Sequence, residues 1–534
     1  MIPYYPYPYP PYRCLRRPLF APNGVVATSQ PLAAQAGLSM LLRGGNAVDA
    51  AVAAAITLTV VEPASCSMGG DVFALVWDGK MLHGLNGSGR SSAALTADLL
   101  RQRGHTEMPD NGWPSTTVPG APAAWYDLHA RFGKLPFAQL FEPAINYAER
   151  GFPVAPIAQY DWQWSLAKLP VGPEFEPCRA VFAPNGQAPQ VGEHWYSEDM
   201  ARSLRLVAET NTQAFYQGDL ADSIVAFSRA TGGFFSLDDL TQHTSAWVDP
   251  ISTTYRGVKI WEIPPNGQGL AALLALNILE GFDLPSRESA ESYHLQIEAM
   301  KLAYADAKRY IADPASMDIS VEALLSKDYA AVRRRLIGAH ALIPESGAPI
   351  QSDTAYLCTA DSDVLMVSLI ESTFSGFGSG IVIPGTGIVL QNRGSGFTLE
   401  PDHPNGLAPR KRPYHTIIPG FLTRQGEPIG PFGVMGGHMQ PQGHVQVVVN
   451  TVDYGFDPQV ALDAPRWFWW SDRYLKVEPT VDPSLVQRLS ERGHEVDVDS
   501  DIDIFGRGQA IWRLPSGGYI AGSDSRADGC AIGY

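Results

Sequence analysis

Apolar positions along the chain change their period near the middle. From Ala33 to Val61 the sequence is Ala-rich, and it predicts two helices that meet at Gly44-Gly45, with Asn46 capping the second. Val72 to Trp77 is an unbroken apolar run of strand length and predicts a buried strand. From Pro119 to Glu149 the pattern is helical, broken at Gly133 and Pro136, and the Pro-, Trp- and Gly-rich stretch that follows to about Gly192 predicts a loop. The clearest helix lies between Ser289 and Pro314, where Tyr293, Ile297, Met300, Tyr304, Ala307 and Ile311 form one apolar stripe.

Beyond about residue 350 the texture changes. Thr354–Asp361, Val364–Ser372 and Ile381–Leu390 are short apolar runs separated by Ser-Asp, Gly-Ser and Pro-Gly pairs, a pattern of strands and tight turns. A helical first half is expected to give way to a strand-rich second half. No fixed-period repeat supports a solenoid or propeller. The longest uncharged apolar stretch, Ala50–Val61, falls short of the roughly 20 residues that span a bilayer, so no membrane anchor is expected.

Composition narrows the class. Of 534 residues, 45% are hydrophobic and 18% charged, as in a folded catalyst or binding protein. The net charge of -16, with no basic run interleaved with aromatics, argues against nucleic acid and anionic membrane partners. Five scattered cysteines (14, 66, 178, 358 and 530) without a C-x-x-C pair suggest neither a disulfide framework nor a zinc cage. The Tyr-Pro alternation at the start, with no apolar signal-peptide core, predicts a poorly ordered tail over residues 1–20 and a cytoplasmic location.

Several common chemistries lack their motifs. There is no G-x-x-x-x-G-K-[ST] loop, no G-x-S-x-G elbow and no H-E-x-x-H pair. The six-residue spacing of His438 and His444 suits no common metal site, so structural roles are expected for both, and the acidic segment Glu491–Asp503 reads as a solvated face. Thr354 at the head of a strand, Ser372 at the end of its hairpin partner and the glycine-rich loop Gly376–Gly380 together suit a nucleophile in a crowded pocket. Thr and Ser are common in strands, so spacing alone leaves both readings open.

Ordered blocks along nearly the whole chain beyond the tail give a sharper reading. RGGNAVDAAVAAA (Arg43–Ala55), VVEPASCSMGGDVFALVWDG (Val60–Gly79), VPGAPAAW (Val118–Trp125) and EAMKLAYADAKRYIADP (Glu298–Pro314) are followed by DTAYLCTAD, FGSGIV, KRPYHTIIP, Gly436-Gly437, DYGFDPQVALDAPRW and the terminal GCAIGY. This series resembles the gamma-glutamyltransferases (glutathione hydrolases), self-cleaving precursors among the N-terminal-nucleophile hydrolases.

The resemblance implies an α+β fold, a four-layer αββα sandwich forming one composite domain. Cleavage at Asp353-Thr354 would leave a large subunit, 21–353 after the tail, and a small subunit, 354–534. Thr354 would supply both nucleophile and α-amine base, Ser372 the neighbouring hydroxyl, and Gly436 and Gly437 the oxyanion hole. No cofactor or metal is implied, and the partners are a small gamma-glutamyl or related amide and the two subunits themselves.

Substrate contacts depart from the family pattern. Gly396 and Phe374 stand where the family has acidic or amide residues, His415-Thr416 replaces a Ser-Ser pair, and Arg90 lies in GSGRSS rather than R-E-x-A-P order. Arg90, Arg393, Asn392, His415 and Thr416 are the expected substrate-binding residues. Three functions follow: a gamma-glutamyltransferase-like enzyme; an amidohydrolase or acylase of the same family, acting on glutaryl-cephalosporin or oxamate-like amides; or, since Ala355 and Tyr356 replace the hydroxyl residue and His that usually follow the nucleophile, an uncleaved binding protein.

Overall fold

The protein is described here by a computed structural model covering residues 16–344 and 353–534. Two seven-stranded sheets dominate it. One has the order Leu19–Ala21, Tyr519–Ser523, Arg507–Arg513, Glu427–Met435, Gly420–Arg424, Val258–Glu262, Ile251–Tyr255. The other runs Cys530–Gly533, Val25–Thr28, Asp353–Ala360, Met366–Phe374, Asp71–Trp77, Leu82–Asn86, Ala246–Val248, antiparallel throughout.

Alternation along each strand divides the side chains between clusters, because successive residues point to opposite faces. In Asp353–Ala360, Ala355 and Leu357 pack with the helix Ala47–Val61, whereas Tyr356, Cys358 and Ala360 join a cluster containing Phe421, Met435 and Ile511 from the other sheet. The sheet carrying Phe421, Met435 and Ile511 turns Val258, Leu422, Val434 and Trp512 toward the helices Gly269–Leu279, Ala290–Tyr310 and Met439–Val452.

Local signals were obeyed where they were strongest. Pro31–Leu42 and Ala47–Val61 are the two expected helices. The Asn46 side chain accepts the Val48 and Asp49 N–H groups while Asp49 accepts the Asn46 N–H at 3.0 Å, a reciprocal cap. All fifteen residues of Ala47–Val61 are buried, and small side chains let neighbours approach on every side.

Three expectations need correction. The stretch before Gly192 holds the helices Pro156–Ala167 and Glu176–Phe182, because Trp162 and Phe182 bury against Trp195 and Phe377. The run Ile381–Leu390 is no single strand; it folds into the short pair Val382–Ile383 and Ile388–Val389. Within the expected tail, residues 1–15 lie outside the described residues, but Leu19–Ala21 pairs with Tyr519–Ser523 and Arg16 Nη1 donates to the Asp524 carbonyl at 2.8 Å.

The expected helical first half and strand-rich second half hold in element content, with most helices before residue 353, but each sheet mixes strands from both sides of it. Residues 354–534 carry 20 acidic and 13 basic side chains, or -7, which leaves -9 of the total -16 for the remainder. Net charge repels the two parts, so shared strands and buried apolar surface hold them together. Among the described residues no helix is long and apolar enough to cross a membrane, and Cys66, Cys178, Cys358 and Cys530 are free thiols.

Candidate active site

Thr354 sits near the start of a central strand, where the register with its neighbour shifts between Asp353 and Ala355. Its Oγ1 lies 3.2 Å from Ser372 Oγ on the adjacent strand, and both residues are buried. Ser372 Oγ also accepts the Phe374 N–H at 2.7 Å. Phe374 takes φ +84°, a left-handed conformation unusual for a residue with a side chain. Its ring lies 4.7 Å from the Arg393 guanidinium carbon.

Arg393 is buried, as are Asp71, His415 and Thr416 around it. Its Nη1 donates to Thr416 Oγ1 at 2.6 Å, while Nε is 3.9 Å from Asp71 Oδ2, beyond hydrogen-bond range. Burial lowers the Arg393 pKa to about 9, opposed by the charge of Asp71, so the guanidinium remains charged at neutral pH. Burial likewise pushes Asp71 up to about 7, with Arg393 the main opposing influence. The His415 ring is held neutral by burial and by Arg393 and Arg412. Its Nδ1 accepts the Ile417 N–H at 3.4 Å, so Nε2 carries the proton donated to Asp71 Oδ2 at 3.0 Å.

A cavity of about 300 Å³ opens against this cluster, with Phe374, Arg393, Gly396, Tyr414, Thr416 and His438 in its wall. Gly436 and Gly437 immediately precede His438 and have φ +119° and +58°. The Gly437 carbonyl accepts Gln268 Nε2–H at 2.8 Å, and that amide also reaches the Thr416 carbonyl at 2.6 Å. Tyr414 Oη donates to Gln268 Oε1 at 2.9 Å, which ties the glycine pair to the cavity wall. Burial, with help from Lys308, lowers His438 to about 3 and keeps it neutral.

The structure thus gathers Thr354, Ser372, Arg393, His415 and Thr416 into one connected set, with Gly436 and Gly437 at its edge. It separates two other candidates. Arg90 lines a different cavity, of about 210 Å³, with Arg410, Arg412 and His243, and pairs with Asp313 at 3.0 Å. Asn392 is buried in a turn, donating to the Asp110 carbonyl and Ser375 Oγ at 2.8 and 2.7 Å. Arg90 and Arg393 both occur in Gly/Ser-rich loops, and nothing in their local sequence tells them apart.

Asp71, Gln268 and His438 were not singled out as site residues. Asp71 carried the one available signal, an acid directly before the apolar strand Val72–Trp77. His444 is away from the cavity wall and pairs with buried Glu262 at 2.7 Å. One further buried group has metal-ligand composition: His294, Glu298 and His494. Lys301 Nζ donates to Glu298 Oε1 at 2.7 Å there, supplying the cationic partner from the chain itself.

The family model described as gamma-glutamyltranspeptidase matches residues 33–534. The chain belongs to the gamma-glutamyltranspeptidase family. A relative within it is the glutathione hydrolase-like YwrD proenzyme of Bacillus subtilis (strain 168), 39% identical, with 95% of this chain and 98% of that protein aligned. The oxamate amidohydrolase proenzyme of Klebsiella pneumoniae is 33% identical over 96% of this chain and 98% of its own length. Among solved structures, the cephalosporin acylase from Bacillus halodurans superposes with a TM-score of 0.95 at 52% identity, covering 99% of each chain. These similar proteins are named for different substrates: glutathione, oxamate and cephalosporin.

Proposed function

We propose that this protein is an autoprocessing enzyme that cleaves a gamma-glutamyl or related carboxylated acyl amide through an ester on Thr354. The observation that carries the reading is the Thr354–Ser372 hydroxyl pair at 3.2 Å, beside a cavity walled by Arg393 and the residue after Gly436-Gly437. In this reading the two sheets and their helices form the four-layer αββα sandwich, and residues 1–353 and 354–534 remain associated as large and small subunits.

Maturation begins with attack of Thr354 Oγ1 on the Asp353 carbonyl carbon. The C–N bond breaks, an ester forms, and the Thr354 α-amine is released; water then hydrolyses the ester to the Asp353 carboxylate and a free hydroxyl. A new α-amine has a pKa of about 8, so a useful neutral fraction exists near pH 7 to accept the hydroxyl proton. Oγ1 next attacks the substrate amide, the amine leaves with that proton, and water or a second amine takes the acyl group. N–H groups at Gly436-Gly437 stabilise the tetrahedral oxyanion, and glycine lets backbone approach it closely.

Denaturing electrophoresis and intact mass tests this. Two fragments of 353 and 181 residues are expected, with Thr354→Ala leaving one inactive 534-residue chain. An uncut wild-type chain that turns over substrate would refute the mechanism; an uncut and inactive one would favour a binding protein.

A further inference from the structure

A lysine held in a protein wall without a counter-charge is destabilised as an ammonium, because it gives up hydration and nothing replaces it. Among the described residues four lysines are not exposed. Three of them have partners: Lys301 Nζ donates to Glu298 Oε1 at 2.7 Å, Lys411 Nζ to the Gly406 carbonyl at 2.9 Å and Lys476 Nζ to Asp499 Oδ2 at 2.7 Å. The Lys308 ammonium has no hydrogen bond or ion pair among the described residues.

Lys308 lies one turn beyond Tyr304 on the helix Ala290–Tyr310, on the same face, and Tyr304 Oη donates to the His438 carbonyl. This brings Lys308 into the wall of the cavity of about 300 Å³, close enough to the His438 ring for its charge to oppose protonation there. Its Nζ is not one of the sealed polar atoms that lack a partner, so it is reached from open space, and the space this residue lines is the cavity. Facing it from other elements are Arg393, His403, Glu400, Tyr414 and His438. Burial holds both histidines toward neutrality and keeps the Tyr414 phenol protonated, while Glu400 is exposed. None of them supplies a counter-charge: burial alone acts on the Lys308 ammonium, lowering its pKa to about 8. Roughly a quarter of the amine is then neutral at pH 7.5, against about one part in a thousand for an ordinary lysine, and the neutral form is the nucleophile.

Carbonyl groups differ in how they meet such an amine. An amide resists an unassisted amine, so acyl-amide substrates leave Lys308 unchanged, whereas an aldehyde reacts readily. We propose that Lys308 is a covalent modification site that captures small aldehydes as an imine and so closes the cavity to acyl substrates. The Nζ lone pair adds to the aldehyde carbon, an Nζ proton passes to the aldehyde oxygen, and the carbinolamine loses water to leave a C=N bond. Hydrolysis reverses each step, and no oxidant or reductant takes part. Closure to substrate rests on the Thr354 reading, but capture depends on Lys308 alone.

Propanal is the probe. With cyanoborohydride added to trap the imine as a propylamine, peptide mass spectrometry locates the labelled lysines in wild type and in Thr354→Ala. At pH 7.5 Lys308 should be labelled about tenfold or more faster than the exposed Lys80 and Lys134, with a half-rise near pH 8 where theirs lies above pH 10. Without the reductant, propanal should inhibit turnover of glutaryl- or gamma-glutamyl-p-nitroanilide by wild type, with activity returning on dilution, and should not inhibit Lys308→Arg, which forms no such imine; Lys308→Gln serves if Lys308→Arg does not fold. The competing site is the free α-amine of Thr354, so inhibition that persists in the Lys308 variant overturns the inference. Labelling of Lys308 no faster than of Lys80 and Lys134 also overturns it and leaves the Thr354 mechanism standing. Selective labelling of Lys308 in both chains, with no turnover by either, upholds capture and overturns the mechanism.

Discussion

The hydroxyls of Thr354 and Ser372 face each other across neighbouring strands at 3.2 Å, and Ser372 holds the Phe374 N–H on the same oxygen. One side chain therefore touches both the proposed nucleophile and the residue whose ring lies against Arg393.

Removing that hydroxyl should slow both self-cleavage and turnover. For Ser372→Ala, kcat is expected to fall roughly 10- to 100-fold, the worth of a buried hydrogen bond to a reacting group. Steady-state kinetics and a time course of fragment formation check this; unchanged rates for both steps would remove Ser372 from the mechanism.

Gly436 has φ +119°, and a Cβ there would lie 3.1 Å from Gly506 Cα. Gly436→Ala should shift the N–H groups beside it. A fall in kcat of about 10²–10³ with a smaller change in KM is the expected signature of a lost oxyanion donor.

Glu371, one residue before Ser372, is buried with Trp125 Nε1–H on one oxygen at 3.2 Å, and burial raises its pKa well above 4.5. The folded state thus holds this proton more tightly than the unfolded chain. Its contribution to stability is full below about pH 4.5 and is lost as pH rises toward the raised value. Glu371→Gln lacks this loss, so its Tm should gain on wild type as the pH is raised above about 4.5, by differential scanning calorimetry. Parallel Tm curves would show that Glu371 ionises normally.

A Cβ on Gly433 would lie 2.4 Å from Tyr356 Cε2, in the space between the two sheets. Tyr356 is fully buried and its hydroxyl is tied to Ser368 Oγ at 2.7 Å, so it cannot swing away freely. Gly433→Ala should cost about 1–3 kcal/mol by overpacking, read as a lowered Tm.

The sequence by itself determined the local elements and the family. The Asn46–Asp49 cap, the stripe in Ala290–Tyr310 and the alternation in Asp353–Ala360 depend on neighbours within one or two turns, and such patterns are legible along a chain. The ordered blocks likewise pointed to Thr354, Ser372 and the glycine pair. What only the tertiary structure decided was partnership. Asp71, Phe374, Arg393 and His415 converge from positions up to 344 residues apart. Their burial sets their charge states, and a hydrogen-bond partner reached through space has no fixed spacing in sequence. The same reason sends Arg90 to Asp313 and leaves Arg393 Nε and Nη2 without a hydrogen-bond partner among the described residues.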